Sequence, residues 1–152
     1  YCPVMRLHGD RQPSEAIYRK DGTRALNSGS FNEVWSFGEE AYPILVKYLN
    51  RREEMRPYVR ALMQEAHEKG KPLMRGMFYE FPKDEKCADL KDQYLFGARF
   101  LVAPVMEPGA RERTVYLPAG QWRNIDTGET LQGGRTVTAP APLEVIPVFE
   151  RL

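Results

Sequence analysis

Apolar residues are spaced along this chain in three different ways. The first seven, YCPVMRL, form a short and mostly apolar run, which predicts a strand. Residues 9–38, GDRQPSEAIYRKDGTRALNSGSFNEVWSFG, keep no period and are rich in Gly, Ser and Asn. Structureless connections of about 30 residues are uncommon inside a compact domain and tend to be functional or disordered. This one ends in Phe31, Val34, Trp35 and Phe37, side chains large enough that their burial against something is expected.

A helical period follows. Ile44, Leu45, Tyr48 and Leu49 recur three and four apart, and the pattern resumes at Met55, Tyr58, Val59, Leu62, Met63 and Ala66. Ser36 with Glu39 three residues later predicts a capping box. Pro43 is tolerable in a first turn, whereas Pro57 lacks an amide hydrogen and should kink or restart the helix. Gly70 followed by Pro72 marks the stop. The segment reads as a helical hairpin or one long kinked helix.

Beyond Gly70 the period shortens. PLMRGMFYEFP (72–82), RFLVAPVM (99–106), RTVYLP (113–118), QWRNID (121–126), RTVTA (135–139) and LEVIPVFE (143–150) read as strands, separated by the turn signals EPGA, PAG, DTGE and QGGR. Pro104 and Pro147 mark edges or bulges, and CADLKDQYLFG (87–97) suggests a helical turn or two. Six short strands at this spacing predict a small β-sandwich, with a boundary near residues 71/72. A lone strand forms no sheet, so residues 1–71 read as the last strand–helix unit of something larger.

Composition narrows the function. With 22 Lys and Arg against 21 Asp and Glu, there is no basic stripe for nucleic acid, and RREEMR (51–56) dilutes its own charge. No apolar run approaches the ~18 residues of a membrane span. Cys2 and Cys87 could form one bridge, but they make no disulfide framework or CxxC pair. Thiols in a reducing compartment, and hence a cytoplasmic protein, are the expectation. A chain opening on Tyr1 could be a mature secreted protein or an internal fragment; a fragment is expected.

Few residues offer chemistry. His8 stands where the first strand runs into the long loop, and in parallel barrels such strand ends line the active site. There it could hydrogen-bond a polar substrate, or simply be a satisfied structural histidine. Arg6 shares its face of a strand and could touch substrate or close a structural ion pair. His67 lies near a helix C-terminus, where the dipole favours its charged form, but no HExxH accompanies it. Asp126, Thr127 and Gly128 spell the aspartic-protease triplet in a setting that looks like a hairpin turn. Trp122 could stack on sugar or fill a core. Asp10, Asp21 and Asp92 have no evident catalytic pairing, and neither a nucleophile elbow nor a phosphate loop occurs.

The stretches MRLHG, WSFGEE, MRPYVRALMQEAHEKGKPLMRGMFYEFPKDE, DQYLFGARFLVAPVMEPGARERTVYLPAGQW and APLEVIPVFER, in that order, resemble the C-terminal part of the catalytic region of glycoside hydrolase family 31, which includes α-xylosidases and α-glucosidases. The resemblance covers nearly the whole chain and is weakest across residues 11–33. It implies an α+β fragment: the last strand–helix unit of a (β/α)8 barrel (1–71, with strand 1–8 and helix 39–69), then a small antiparallel β-sandwich (72–152).

By the same resemblance, the parent is a retaining α-glycosidase that cleaves terminal α-linked xylose or glucose from oligosaccharides, without metal or cofactor. His8 would hydrogen-bond the sugar to be cleaved, and Arg6 would support it. The two catalytic aspartates belong to earlier barrel strands whose motifs do not occur here, so no residue of this chain is assigned a catalytic role. HGDR and NEVWSFGEE lean toward the bacterial branch. The implied partners are the substrate and the rest of the barrel, or self-association through an exposed helix face, with neither nucleic acid nor membrane. The competing expectation is a stand-alone, non-catalytic module that binds a partner or carbohydrate.

Overall fold

The computed structural model describes residues 1–7, 20–23 and 33–152. These form two units, one of Val4–Arg56 and one of Tyr1–Pro3 with Pro57–Leu152.

In the first unit a 3-10 turn at Val34–Phe37 precedes helix α1, Ala41–Glu54. The expected capping box does not form. Ser36 lies inside the 3-10 turn and donates its hydroxyl to the Glu33 carbonyl at 2.6 Å. Gly38, at φ 92°, then turns the chain, and α1 begins after Glu40 without a side-chain cap. Pro43 sits in the first turn of α1, where no intrahelical amide bond is lost. No residue of α1 is fully buried, and Trp35, Phe37 and Tyr42 are exposed.

The strand expected over 1–7 is not formed. A strand exists only through a ladder with neighbours, and none of the strand pairs among the described residues includes this segment. Val4, Met5 and Leu7 are exposed. Phe31 lies outside the described residues.

Helix α2, Arg56–Lys69, starts after a single intervening residue, Met55, at the restart expected from Pro57. It stops at Gly70, which adopts φ 66° and donates its amide to the Ala66 carbonyl at 3.0 Å. The Tyr58 hydroxyl donates to the Phe96 carbonyl at 2.9 Å. Its ring stands edge-on to Phe96 and Phe100, with centroids 5.8 and 5.3 Å away. Leu62 is buried beside this contact. Gly97, at φ 61°, makes the approach possible: a Cβ there would lie 2.1 Å from the Tyr58 hydroxyl.

Eight strands follow: β1 Met74–Gly76, β2 Tyr94–Phe96, β3 Phe100–Val102, β4 Glu112–Leu117, β5 Gln121–Asn124, β6 Thr130–Gln132, β7 Arg135–Pro140 and β8 Val148–Arg151. All pairings are antiparallel. One sheet has the order β1-β2-β3-β8-β5-β6 and the other is the pair β4-β7. Leu95, Leu101, Trp122 and Phe149 of the large sheet share one core with Val115, Leu117 and Ala139 of the small one, so the expected sandwich is present. Gln93, buried, donates to the Tyr116 carbonyl at 2.7 Å and accepts the Tyr116 amide at 3.0 Å, tying the chain before β2 to β4.

The details differ from the pattern. The run 72–82 supplies only three strand residues before a helical turn, α3, at Met77–Glu80. The stretch 87–97, expected to be partly helical, ends in β2, while the 3-10 turn lies earlier at Glu85–Cys87. Pro147 immediately precedes β8 and Pro104 stands two residues beyond β3. Neither interrupts a ladder, because a residue without an amide hydrogen cannot donate to one.

Glu150 on β8 is buried between Arg99 and Arg123, both half exposed, and pairs with each. Burial by itself would raise its pKa, but the hydrogen bonds from Arg123 and Arg99 prevail and hold it below the usual glutamate value.

Two stability outcomes follow from these contacts. Gly97→Ala forces both an unfavourable φ and the loss of the Tyr58 bond, and should cost roughly 2–4 kcal/mol in urea unfolding. Glu150→Gln should cost roughly 1–2 kcal/mol at neutral pH, because water screens both guanidinium groups. A depressed folded pKa stabilises above the unfolded value and is lost as pH falls through the folded one. The gap between wild type and Glu150→Gln should therefore narrow below pH 4.5; unfolding curves with a constant gap down to strong acid would refute the assignment.

Candidate functional site

Of the two residues expected to bind substrate, Arg6 lies in the irregular stretch 1–7 and is exposed. His8 lies outside the described residues, as does Asp10.

The remaining candidates resolve toward their plainer readings. Trp122 is fully buried and donates its indole N–H to the Pro118 carbonyl at 2.8 Å, so its faces serve the core. Asp126, Thr127 and Gly128 form a hairpin turn. The Asn124 side chain accepts the amides of Asp126 and Thr127 at 2.9 and 3.2 Å, and Gly128 takes φ 74°. Asp92 pairs with Arg113 at 2.6 Å. Asp21 accepts from the Thr23 hydroxyl at 2.6 Å in a local turn. His67 is exposed on the last turn of α2. Cys2 and Cys87 are not joined by a disulfide.

The buried charges of the sandwich are paired. Arg75, with 4% of its surface exposed, pairs with Glu80 and, at 3.0 Å, with Glu65. Glu65 also meets Lys71 at 3.0 Å. The hydrogen bond from Lys71 leads in lowering the Glu65 pKa, and burial opposes it. A glycosidase acid must hold its proton near neutral pH, which needs a raised pKa. Among the described residues, each displaced carboxylate (Asp21, Glu65 and Glu150) is displaced downward. Among the described residues no group of three or more His, Cys, Asp or Glu could hold a metal ion, and no helix is long and apolar enough to cross a membrane.

An open groove of about 710 Å³ runs along residues 80–86, floored by Tyr116. The Tyr116 hydroxyl donates to Asp84 at 2.8 Å. Burial first, and then Asp84, push the phenol up to about 12; the same two causes take the buried Cys87 thiol to about 11. Neither group is an activated nucleophile or base. The aromatic rings here already carry cations: Lys86 lies 5.2 Å over Tyr116, and Arg151 lies 5.0 Å over Phe81.

Sequence reasoning missed one contact near the chain's start. Tyr94 on β2 donates its hydroxyl to the Tyr1 carbonyl at 2.8 Å, and the Tyr1 ring lies 6.2 Å from that of Phe100. The stretch DQYLFG carried the residue, but no periodicity pairs positions 93 residues apart.

Residues 70–152 match the family model for the glycosyl hydrolase family 31 C-terminal domain. The alpha-glucosidase 2 of Bacillus thermoamyloliquefaciens is 43% identical over 117 residues, covering 77% of this chain and 15% of that protein. Alpha-xylosidase A of Aspergillus niger is 37% identical over 164 residues, covering 98% of this chain and 21% of that one. A crystal structure of a family 31 α-xylosidase from a soil metagenome, complexed with xylose, superposes with a TM-score of 0.91 at 46% identity, covering 99% of this chain and 23% of the other. The chain thus spans between 15% and 23% of the length of these relatives. On the match at residues 70–152 and these identities, the chain belongs to glycoside hydrolase family 31.

Proposed function

We propose that this chain is part of a retaining α-glycosidase that removes terminal α-linked xylose or glucose from oligosaccharides. His8 hydrogen-bonds the hydroxyls of the sugar to be cleaved and Arg6 supports it. The β-sandwich braces that end of the barrel, and the nucleophile and acid/base carboxylates come from polypeptide outside these 152 residues. The observation that carries the reading is the likeness over 99% of the chain to an α-xylosidase solved with xylose.

Two further features support it. Val4, Met5, Leu7, Trp35 and Phe37 are 39–74% exposed, an apolar surface that a self-contained module would be expected to cover. The rest of a barrel would cover it, or failing that a second copy. The downward displacement of Asp21, Glu65 and Glu150 also fits described residues that supply no general acid. The compartment we propose is the cytoplasm, as the two sparse and widely separated cysteines Cys2 and Cys87 lead one to expect.

In the enzyme that carries this segment, His8→Ala should raise KM for an aryl α-xyloside about tenfold to a hundredfold, the loss of one or two substrate hydrogen bonds. An unchanged KM on both the xyloside and the matching glucoside would remove His8 from the site. The isolated 152-residue chain should release no aglycone from either substrate; steady turnover by a rigorously purified sample would show that it holds a carboxylate pair of its own.

A further inference from the structure

The two edges of the β4-β7 sheet are finished differently. In an antiparallel pair, residues that exchange hydrogen bonds with the partner strand alternate with residues whose N–H and C=O point away from it. Two contacts fix the phase here. Ala141, one residue beyond the Glu112–Pro140 pair, donates its amide to the Arg111 carbonyl at 2.8 Å, so the odd-numbered residues of β7 bond to β4. Tyr116, opposite Thr136, turns both of its backbone groups outward onto the Gln93 side chain, at 2.7 and 3.0 Å. Gln93 thus closes the β4 edge as a strand would, and Arg113 adds a bond to the Thr114 carbonyl at 2.7 Å.

On the β7 edge the outward groups are those of Thr136 and Thr138, and nothing among the described residues bonds them. Both residues are exposed. Thr136, Val137 and Thr138 carry no charge and no proline; Arg135 and Pro140 stand only at the ends of the strand. An uncovered edge of this kind is a template for another strand, and proteins ordinarily blunt it.

The length of the edge decides what suits it. Three residues span about 10 Å, and the contact they offer falls far below the ~1,200 Å² at which stable association between separate chains begins. A segment of the same polypeptide avoids most of the cost of association, because it is held nearby at high effective concentration. Such polypeptide is plentiful in the relatives, of which this chain spans 15% to 23%.

We propose that the outer edge of β7 is a strand-addition site, filled in the parent enzyme by an extended segment of the same polypeptide outside these 152 residues. The inference rests on the part of the functional reading that makes this chain a piece of a longer polypeptide. The segment offers an N–H and a C=O to each of Thr136 and Thr138, so it has no proline at those two positions. Its residue beside Val137 is apolar, since Val137 packs against the core. Its residues beside the two threonines are polar, of the kind that forms cross-strand threonine pairs.

The test is amide exchange in the full-length enzyme, resolved to single residues. Val137 and Ala139, whose amides face β4, exchange slowly in either case and serve as controls. Thr136 and Thr138 should exchange at least about a hundredfold more slowly than unstructured amides. If they exchange freely while the controls stay protected, the edge is open and the proposal is overturned. The occupant is read by substituting a photo-cross-linking amino acid for Thr136 in an equal mixture of unlabelled and isotopically labelled enzyme. Cross-links should join position 136 to a residue outside the 152, within one isotopic species. Cross-links between the two species identify a second copy and overturn the assignment of the segment. Turnover of an aryl α-xyloside and the matching glucoside is read separately on the same preparation. Protection and an intrachain cross-link without turnover would reject the glycosidase reading and leave the strand pairing standing.

Discussion

Strand β8 holds the sandwich together by pairing on both sides, with β3 through Phe100–Glu150 and with β5 through Arg123–Glu150. Without it the six-stranded sheet would fall into β1-β2-β3 and β5-β6. Alternation along β8 gives its two faces different work. Phe149 points into the shared core and is fully buried, while Glu150 faces the other way, between Arg99 and Arg123. The chain's last strand thus closes a sheet that its earlier strands cannot close, which makes long-range pairing a condition for this fold.

The helix α2 is attached to that sheet. Tyr58 reaches the hairpin between β2 and β3, and Gly97 leaves the space for it. This places the division between compact units at Arg56/Pro57, while the family match begins at residue 70. The two divisions answer different questions. The match follows where sequence likeness to the domain starts, and the contacts follow which helix shares the sandwich's core. Leu62, the one buried residue of α2, lies beside Gly97 in that contact.

Much of this was legible in the sequence wherever a single residue type forces a backbone state. Pro57 broke the helix, Gly70 ended it, and glycines at 109, 120, 128 and 134 took the positive φ that the turns require. What escaped was short or long-range. Strands of three residues, such as β1, β2 and β6, contain too few positions to display alternation. Met77–Glu80 coils directly after β1 although its apolar residues read as a continued strand; the Arg75 contacts to Glu65 and Glu80 bind that corner, and no local pattern encodes them. The capping box failed because Ser36 was used by an earlier turn. Arg6 and His8 were named from a motif, whereas the contact of Tyr94 with the Tyr1 carbonyl depends on a fold that only three dimensions supply.

The same geometry separates groups that respond to acid from groups that do not. Tyr94 and Tyr116 are both pushed up to about 12, so their hydroxyls stay donors across the range in which a glycosidase works. Glu150 and Glu65 are both held below the usual glutamate value by cationic partners, Arg123 and Arg99 for the one and Lys71 and Arg75 for the other. At each of these four groups the favoured form is the one that makes the contact: the protonated phenol donates, to the Tyr1 carbonyl or to Asp84, and the ionised carboxylate accepts from its cations. Proton binding and packing therefore favour the same arrangement at each contact.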